Sequence, residues 1–297
     1  MTTVHNTNLT SLKLLHKGKV RDNYIIDDKH ILMITTDRIS AFDVILEDPI
    51  PNKGKILNQM SLFWFDLLQD IIPNHLTNID VSSIVSPQEL PLIKNRSIVV
   101  KKLKPILIEA VVRGYIAGTG WQDYQKFGNI CGIDIPIGMH NSQKFNEPIF
   151  TPAAKAQIGN HDENINFDKM QNLIGSELAN KIRSTSIDLY TKASNFALDK
   201  GIIIADTKFE FGLDENDNLI LMDEILTPDS SRFWNIDSYT LDKNPPSFDK
   251  QFIRDYLEQQ VWDKTSPAPR LPAYVIQKTF DKYKEAFYKI TGKELKI

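Results

Sequence analysis

The amino-acid sequence predicts an α+β protein in which a strand-rich segment precedes a longer segment of mixed strands and helices. Residues 12–44 are rich in aliphatic and β-branched side chains interrupted by turn residues, a pattern typical of antiparallel strands. Residues 168–199 repeat apolar side chains every three or four positions, which predicts an amphipathic helix. Hydrophobic residues make up 41% of the 297 residues, which is enough to bury a substantial core.

The first elements follow from local composition. Strands over 12–44 are separated by turns, the first of them at Gly18, and form an antiparallel start. Apolar residues at helical spacing then predict a helix over 55–72, which Pro73 should end. Residues 97–103 are predicted to return to a strand.

We place a soft domain boundary near residue 104. It divides the chain into a β-rich N-terminal unit, 1–104, and an α+β C-terminal unit, 105–297. The second unit is expected to begin with a strand and a loop over 105–118.

The rest of the chain alternates between helices and strands. The long helix over 168–199 should stop at Gly201, because glycine readily adopts the left-handed conformation that ends helices. A short strand pair is predicted over 202–225. Two helical stretches, 248–260 and 272–290, complete the prediction.

Overall charge and cysteine content exclude several classes of protein. Lys and Arg number 35 against 38 Asp and Glu, so the net charge of −3 provides no basic field for nonspecific nucleic-acid binding. The single cysteine excludes an intrachain disulfide framework and is compatible with a reducing compartment. No apolar run approaches about 18 residues, and the N-terminal segment lacks signal-peptide features. We therefore expect a cytoplasmic protein without nucleic-acid or membrane partners, as a monomer or small homo-oligomer.

The segment IIADTKFEFG sets charged residues at every second position of a predicted strand. Asp206, Lys208 and Glu210 should therefore share one face, because side chains in a strand alternate between faces. A solvated sheet edge would also explain this alternation.

The following segment, NLILMDEI, is predicted to pair with that strand as a hairpin. A turn centred between Asn216 and Asp217 would set Glu210 opposite Asp223. Two opposed carboxylates repel each other unless a cation neutralises them, and Mg²⁺ prefers such oxygen ligands together with phosphates. A magnesium-phosphate site and a solvated acidic hairpin both remain possible from these residues.

The segment HKGKVRDNY combines one glycine with three cations on the first predicted hairpin. At period two, Lys17, Lys19 and Arg21 would lie on one face, beside Gly18. Glycine allows close approach of backbone amides to a polyphosphate, and the cations would neutralise it. The segment could be a lid over nucleotide phosphates or an ordinary solvated surface.

A second anion site is indicated by the segment EAVVRGYIAGTGW. Arg113 ends an apolar strand, and Gly118–Gly120, including the Thr119 hydroxyl, leads into a predicted helix whose free amides favour a phosphate. The segment TPDSSRFW could add Asp229, Ser230, Ser231 and Arg232 near the same pocket, although alone it could be an ordinary turn. A glycine loop with a surface arginine explains the first segment equally well. In TTDRISAFDV, likewise, a polar turn and a substrate loop are equally good interpretations.

Taken together, these motifs resemble those of a known family. Seven segments resemble, in order, motifs of the SAICAR synthetases, the phosphoribosylaminoimidazole-succinocarboxamide synthases of purine biosynthesis: GKVRDNY, TTDRISAFDV, IPNKGKILNQMSLFWF, VVRGYIAGTGW, FTPAAKAQIGNHDENI, DTKFEFG and MDEILTPDSSRFW. The tail WDKTSPAPRLPAYVIQKT resembles the long, single-function form. The resemblance covers nearly the whole chain.

The resemblance implies a fold and a reaction. The fold would be a β-rich N-terminal lobe like that of protein kinases, packed on an α+β lobe related to ATP-grasp enzymes, with ATP in the cleft between them. The substrates would be ATP, carboxyaminoimidazole ribonucleotide (CAIR) and L-aspartate. The reaction would join the carboxylate of CAIR to the amine of aspartate through an acyl phosphate, with Mg²⁺ bound and ADP and phosphate released.

The resemblance also implies roles for particular residues. The ATP phosphates would be covered by Lys17, Gly18, Lys19 and Arg21, and Mg²⁺ would be bound by Glu210 and Asp223. The 5′-phosphate of the ribonucleotide would be bound by Arg113, Thr119, Ser231 and Arg232. Asp206 and Lys208 would lie beside the reacting carboxylate. We further expect Lys102 and Leu103 to lie near the connection between the lobes, on the ATP side.

One segment departs from the expected family pattern. Gln157 and Asn160 stand where we expect acidic side chains in many relatives, which would alter the electrostatics of an active-site loop. Two rival functions remain: a small-molecule kinase, and a nucleotide-binding protein without catalytic activity. The second phosphate pocket argues against the silent protein, and an amine-binding pocket would argue against the kinase.

Overall fold

The structure is a computed structural model that describes residues 3–155 and 162–297. Gln157 and Asn160 therefore lie outside the described residues. The first part contains strands β1 (Lys13–Lys17), β2 (Arg21–Ile25), β3 (His30–Thr35), β4 (Ser40–Ala41), β5 (Val44–Ile45) and β6 (Ser97–Lys101), with helices α1 (Lys53–Leu67) and α2 (Leu90–Ile93). A short 3-10 helix, Val81–Ser83, precedes α2.

The remainder contains ten strands and five helices among the described residues. The strands are β7 (Lys104–Pro105), β8 (Ile108–Tyr115), β9 (Asn129–Ile130), β10 (Ile133–Asp134), β11 (Lys144–Phe150), β12 (Ala153–Ala154), β13 (Glu163–Asn164), β14 (Ile202–Leu213), β15 (Leu219–Met222) and β16 (Ser231–Asn235). The helices are α3 (Gly118–Phe127), α4 (Phe167–Ile174), α5 (Ser176–Leu198), α6 (Gln251–Glu258) and α7 (Ala273–Thr291), with a second 3-10 helix at Ile236–Ser238.

The N-terminal strands form a four-stranded antiparallel sheet in the order β1-β2-β3-β6. This confirms the predicted antiparallel start. Tyr24 pairs with Leu32 across β2 and β3, and Leu32 with Val99 across β3 and β6. These side chains are buried in a small core with Ile34 and Ile93, so the sheet has an apolar interior of its own.

A second, eight-stranded sheet is built around β14. Its path runs β13-β12-β8-β14-β15, with β11 also on β8, and with β7 and β16 also on β14. Every pairing in this sheet is antiparallel. Since β14 is flanked on both sides, its charged residues do not lie on a solvated edge.

Helices cover the second sheet and complete the largest core. Trp64 and Phe65 of α1 are buried in this core, as are Leu189 of α5 and Phe287 of α7. The apolar side chains of α1 therefore join the core of the second sheet. None of the described helices combines the length and apolar character needed to cross a membrane.

Two predicted helices differ from those observed. The single helix predicted over 168–199 is interrupted at Gly175, whose φ of 88° and ψ of 147° cannot continue a helix, and α5 begins after it. The helix predicted to reach Pro73 ends at Leu67, because Leu68 has already left the helical conformation and residues up to Pro73 form turns. Helix α5 ends at Leu198, close to the predicted stop, and Gly201 lies in the turn that follows, with the positive φ of 76° that glycine favours.

Candidate active site

A cavity of about 720 Å³ opens between the two sheets. One wall comes from the first hairpin and β3, and the opposite wall from β8, β14 and the residues after β15. The cleft gathers most of the predicted site residues: Gly18, Lys19, Arg21, Arg113, Thr119, Asp206, Lys208, Glu210, Asp223, Ser231 and Arg232.

Three predicted ATP-binding residues do not line the cavity. Lys17 ends β1 as an exposed residue, and its ammonium donates a hydrogen bond to the Asn6 side chain. The predicted single face of three cations is wrong here, because the chain turns after Lys17 and period two does not continue through a turn. Lys102 and Leu103 lie between β6 and β7, and the Leu103 side chain packs against Gly212. Their contact with ATP stays a prediction.

The glycine turn of the first hairpin is held by a buried arginine. The Gly18 N–H donates to the Arg21 carbonyl at 2.7 Å, closing the turn. The Arg38 guanidinium donates to the Gly18 and Lys19 carbonyls, both at 3.0 Å, and pairs with Asp22 at 2.6 Å. Arg38 is 1% exposed, so the TTDRISAFDV segment is a support for the hairpin and does not expose this arginine to a substrate.

The neighbouring residue of that segment supports the start of α1. Asp37, fully buried, pairs with Arg96 at 2.8 Å and accepts the Gly54 N–H at 2.9 Å. A Cβ on Gly54 would lie 2.1 Å from the Thr35 carbonyl oxygen, so only glycine fits there. Asp37 and Arg38 therefore make buried hydrogen bonds, whereas residues 40–43 of the same segment line the cleft, so the substrate-loop interpretation of that part stays a prediction.

The acidic hairpin differs from the prediction by one residue of register. Glu210 pairs with Met222, and Asp223 lies just beyond β15 with a φ of 69°. The turn is closed by the Asp214 N–H donating to the Asn218 carbonyl at 3.1 Å, which centres it on residue 216. The predicted pairing of Glu210 with Asp223 is therefore wrong, although both carboxylates line the cleft.

These carboxylates are largely withdrawn from solvent and have cationic partners. Arg21 pairs with Asp223 and, at 3.4 Å, with Glu224, whereas Lys155 pairs with Glu210. The side chains of Glu210 and Asp223 are each 16% exposed, which rejects the solvated-hairpin alternative.

The pKa of Asp223 reflects its burial first and its charged neighbours second. Burial raises the pKa of Asp223, the Arg21 guanidinium lowers it, and the Glu210 carboxylate raises it again, so that the pKa stays above its ordinary value. An additional cation between Glu210 and Asp223 would relieve this repulsion.

The donor set fits magnesium with help from a substrate. Glu210, Asp223 and the adjacent Glu224 offer only hard carboxylate oxygens, which Mg²⁺ prefers. Across residues 3–155 and 162–297, no cluster of three or more His, Cys, Asp or Glu residues suited to a metal is found. A metal held here would therefore need phosphate oxygens and water to complete its coordination.

Two arginines converge on Asp206 at the other part of the cleft. Arg113 of β8 pairs with the Asp206 carboxylate at 3.1 Å, and Arg232 of β16 pairs with the same carboxylate oxygen. Arg113 also donates to the Thr119 hydroxyl at 3.3 Å and to the Thr151 hydroxyl at 3.0 Å. Since Arg113 is only 4% exposed, the alternative of a surface arginine is wrong.

This arrangement requires glycine at the start of α3. Gly118 has a φ of 54°, and a Cβ there would lie 2.1 Å from the Arg232 guanidinium. Two guanidinium groups against one carboxylate leave excess positive charge, beside the hydroxyls of Thr119 and Ser231. A dianionic phosphate matches this charge and these donors.

The pKa values of the two arginines respond to the same carboxylate. The Asp206 carboxylate raises the pKa of Arg232, and burial opposes it less strongly. Burial lowers the pKa of Arg113, and Asp206 compensates only in part. Asp206 is 5% exposed, and its carboxylate orients the guanidinium groups of Arg113 and Arg232. Its position beside the reacting carboxylate stays a prediction.

Lys208 lies between the two ends of the cleft. Its ammonium pairs with Glu109 of β8 at 2.5 Å. Burial lowers the pKa of Lys208, but the Glu109 carboxylate, with Glu210 and Asp223, outweighs burial and raises it above the usual value. Lys208 is therefore a permanent cation at neutral pH.

Sequence reasoning missed several charged residues of the cleft. Glu109 could have been found, since it shares the face of Arg113 at positions i and i+4 of β8. Lys155, Glu224, Lys250 and Arg254 come from loops or a short helix far apart in sequence, where no periodic pattern marks them.

The fold and the cleft define an enzyme class. An α+β protein with an arginine pair suited to a phosphate, and a carboxylate pair suited to a divalent cation in the same cleft, is suited to acting on phosphorylated substrates. Comparison with known proteins identifies the family. A family model described as SAICAR synthetase matches residues 14–269. The chain belongs to the SAICAR synthetase family.

Relatives and solved structures agree with this assignment. The chain is 60% identical to the phosphoribosylaminoimidazole-succinocarboxamide synthase of Cupriavidus metallidurans over 98% of both chains, and 59% identical to that of Ralstonia nicotianae over 99% of both. The structure described as SAICAR synthase from Saccharomyces cerevisiae complexed with SAICAR has a TM-score of 0.91 at 41% identity, covering 98% of this chain and 99% of that one. A SAICAR synthetase in complex with ADP has a TM-score of 0.71 at 26% identity, covering 96% and 100%.

Proposed function

We propose that this protein joins the carboxylate of CAIR to the amine of L-aspartate at the expense of ATP, giving SAICAR, ADP and phosphate in purine biosynthesis. Family membership and the named relatives support this activity, as do solved family structures described as complexes with SAICAR and with ADP. The observation that carries the proposal is the presence of two anion sites in one cleft. The first is the Asp206-centred arginine pair, which would bind a phosphate directly, and the second is the carboxylate pair Glu210 and Asp223, which would bind phosphates through Mg²⁺.

We propose a kinase-like lobe, 1–104, and an ATP-grasp-related lobe, 105–297, with ATP between them. The separate four-stranded sheet supports the first lobe, and the cavity walls drawn from both sheets support the position of ATP. Helix α1 would be the contribution of the first segment to the core of the second lobe.

The ATP phosphates would lie under the first hairpin. Gly18, whose N–H is engaged by the Arg21 carbonyl, would allow close approach of the turn to the phosphates, and Lys19 and Arg21 would neutralise the phosphate charge. Glu210 and Asp223 would hold Mg²⁺, which when bound would supply charge neutralisation at the transferred phosphoryl group. Lys155 and Arg21, which now pair with these carboxylates, would then be released to the phosphates.

The ribonucleotide would be anchored by its 5′-phosphate. Arg113 and Arg232 would bind its oxygens, with the hydroxyls of Thr119 and Ser231 as further donors. Asp206 holds both guanidinium groups in place before the phosphate arrives, which reduces the cost of ordering them on binding.

The reaction would proceed through two displacements between these anchors. A carboxylate oxygen of CAIR attacks the γ-phosphorus of ATP, and the bond to ADP breaks. The aspartate amine then attacks the acyl carbon, phosphate departs with that oxygen, and the amine loses a proton. Lys208, a cation on the same strand face as Asp206 and Glu210, would offset the negative charge where carboxylate and γ-phosphate meet.

Partners and location follow from the same proposal. The substrates are small molecules, and the net charge of −3 offers no general attraction to nucleic acid. We propose a cytoplasmic monomer or small homo-oligomer without membrane or nucleic-acid partners.

The test follows an oxygen atom through the reaction. Purified protein with ATP, Mg²⁺, L-aspartate and CAIR labelled with ¹⁸O in its carboxylate should release ADP, SAICAR and labelled orthophosphate. Omitting any substrate should stop SAICAR formation. Accumulation of a stable phosphorylated nucleotide would favour the kinase alternative, and ATP binding without turnover would favour the silent protein.

A further inference from the structure

Asp229 is a buried carboxylate on the turn that leads into the arginine-bearing strand β16. Its side chain is 1% exposed and has partners from three distant parts of the chain. The Lys53 ammonium of α1 lies 2.7 Å from Oδ2, and the Lys250 ammonium lies 3.1 Å from the same oxygen. The Tyr283 hydroxyl of α7 donates to Oδ1 at 2.9 Å.

The two oxygens of this carboxylate have different partners. Both lysines act on Oδ2, where they attract the carboxylate without fixing its rotation, because an ammonium is a compact charge without directional preference. Tyr283 donates to Oδ1 and so sets the plane of the group. Burial and the Asp229 carboxylate raise the pKa of Tyr283 well above its usual value, so the hydroxyl remains a donor.

The orientation of Asp229 bears directly on the phosphate pocket. The Asp229 N–H donates to the Thr227 hydroxyl at 3.2 Å, and the Ser231 N–H donates to the Thr227 carbonyl at 2.9 Å. Arg232 is the next residue. The contacts of the Asp229 carboxylate with Lys53, Lys250 and Tyr283 therefore anchor a tight turn whose last residues carry two of the proposed phosphate donors.

Helix α7 lies outside the residues that the family model matches, although the reported relatives extend over it. The family model ends at residue 269, and α7 begins at Ala273. Tyr283 is fully buried on α7, in the same core as Trp64 of α1. Its ring contributes to packing, whereas its hydroxyl contacts the turn.

We propose that Tyr283 is a positioning residue for the phosphate pocket, acting through Asp229 on the segment 227–232. The inference rests on the proposed function in one respect, since it takes Ser231 and Arg232 to bind the phosphate of the ribonucleotide. Helix α7 is then part of the substrate-binding apparatus and does more than cover the core.

The experiment compares Tyr283→Phe with Tyr288→Phe. Phenylalanine keeps the buried ring and removes only the hydroxyl, and Tyr288 is a control on the same helix with 54% exposure. Tyr283→Phe should raise the KM for CAIR by about three- to tenfold, in line with loss of a hydrogen bond to a charged group, and leave the KM for ATP unchanged. Tyr288→Phe should change neither. Equal increases in both KM values, or no change in either, would overturn the proposal.

A binding measurement separates this inference from the proposed function. Ribose 5-phosphate presents the phosphate monoester alone, and its affinity can be measured by calorimetry without turnover. Weaker binding by Tyr283→Phe supports the positioning role even if the wild-type protein fails to make SAICAR, and unchanged binding contradicts it even if SAICAR is made. In a double-mutant cycle with Asp229→Asn, the two effects on ribose 5-phosphate affinity should not add, because Tyr283 acts through that carboxylate. Full additivity would place its effect elsewhere.

Discussion

Replacement of Arg38 by methionine should uncouple the glycine hairpin from the rest of the first sheet. In the native structure the guanidinium donates to the His5 carbonyl at 2.6 Å in addition to Gly18, Lys19 and Asp22. Methionine fills much of the same volume without replacing any of these donors. Asp22, 2% exposed, would retain the Thr7 hydroxyl at 2.8 Å but lose its only cationic partner among the described residues.

The expected loss of stability is large. Removing one partner of a buried ion pair typically costs ~3–5 kcal/mol. At roughly 2.1 cal/mol/K per residue, the unfolding entropy of 297 residues is about 0.6 kcal/mol/K, so a loss of ~4 kcal/mol should lower Tm by about 6 °C. Thermal denaturation followed by circular dichroism measures this shift.

The same substitution should weaken ATP binding specifically. Two carbonyl contacts hold the turn whose amides are proposed to meet the phosphates, and their loss should raise the KM for ATP about tenfold, equivalent to ~1.4 kcal/mol. The KM for CAIR should change little. Arg183→Met, an exposed arginine on α5, is the matched control. A Tm that falls as expected while the KM for ATP stays within about twofold of wild type would refute the hairpin argument.

Four further predictions concern other parts of the cleft and its supports. Asp223→Asn and Glu210→Gln should each abolish turnover at low Mg²⁺ while preserving the circular dichroism spectrum, and near-normal activity in a magnesium titration would contradict the metal assignment. Arg113→Ala should raise the KM for CAIR by about tenfold or more without changing that for ATP, since a phosphate loses a charge-assisted contact; an effect confined to ATP would mean the two anion sites are exchanged. Gly118→Ala should have the same selective effect, because the added Cβ would displace the Arg232 guanidinium, and steady-state kinetics with each substrate varied in turn will test it. His75, 1% exposed, has its pKa lowered from 6.5 to about 3 by burial and by Arg21. Its contribution to stability is therefore complete above pH 6.5 and declines as the pH falls toward 3, by ~2 kcal/mol at pH 5; His75→Phe should reduce the Tm difference between pH 8 and pH 5, and an unchanged difference would reject this origin.

Local sequence was sufficient for the elements that carry the site. Alternation along β14 placed Asp206, Lys208 and Glu210 on one face, and the structure confirms that all three line the cleft. The strand geometry makes this inference strong, because alternation depends only on local backbone conformation.

The register of the acidic hairpin could not be obtained in the same way. The Asp214 side chain accepts the backbone N–H groups of Asn216 and Asn218, each at 2.9 Å, and this draws the turn to a centre one half-residue from the predicted one. Several residues of the turn have suitable side chains for such bonds. Composition therefore indicates that a turn exists without selecting its centre.

The ion-pair partners of the charged site residues could not be predicted from the sequence either. Glu109, Lys155 and Arg21 reach Lys208, Glu210 and Asp223 from strands and loops that only the sheet order brings together. The supporting role of Arg38 could not be predicted either, because it depends on the burial of this side chain, and a polar segment can be buried or exposed.

The central strand β14 fixes the spacing between the two ends of the cleft. A strand advances about 3.4 Å per residue, so Asp206 and Glu210 stand about 14 Å apart along it, with Lys208 midway. The distance between the proposed phosphate site and the carboxylates proposed to bind metal is thus set by hydrogen-bonded backbone and not by flexible loops, which limits the length of ligand that can engage both ends at once. Deleting one residue between Asp206 and Glu210 would shorten this distance. It would also move one of the two carboxylates to the opposite face of the sheet, because side chains alternate between faces. Tolerance of insertions should accordingly be lowest here and highest at the exposed turn around residue 216.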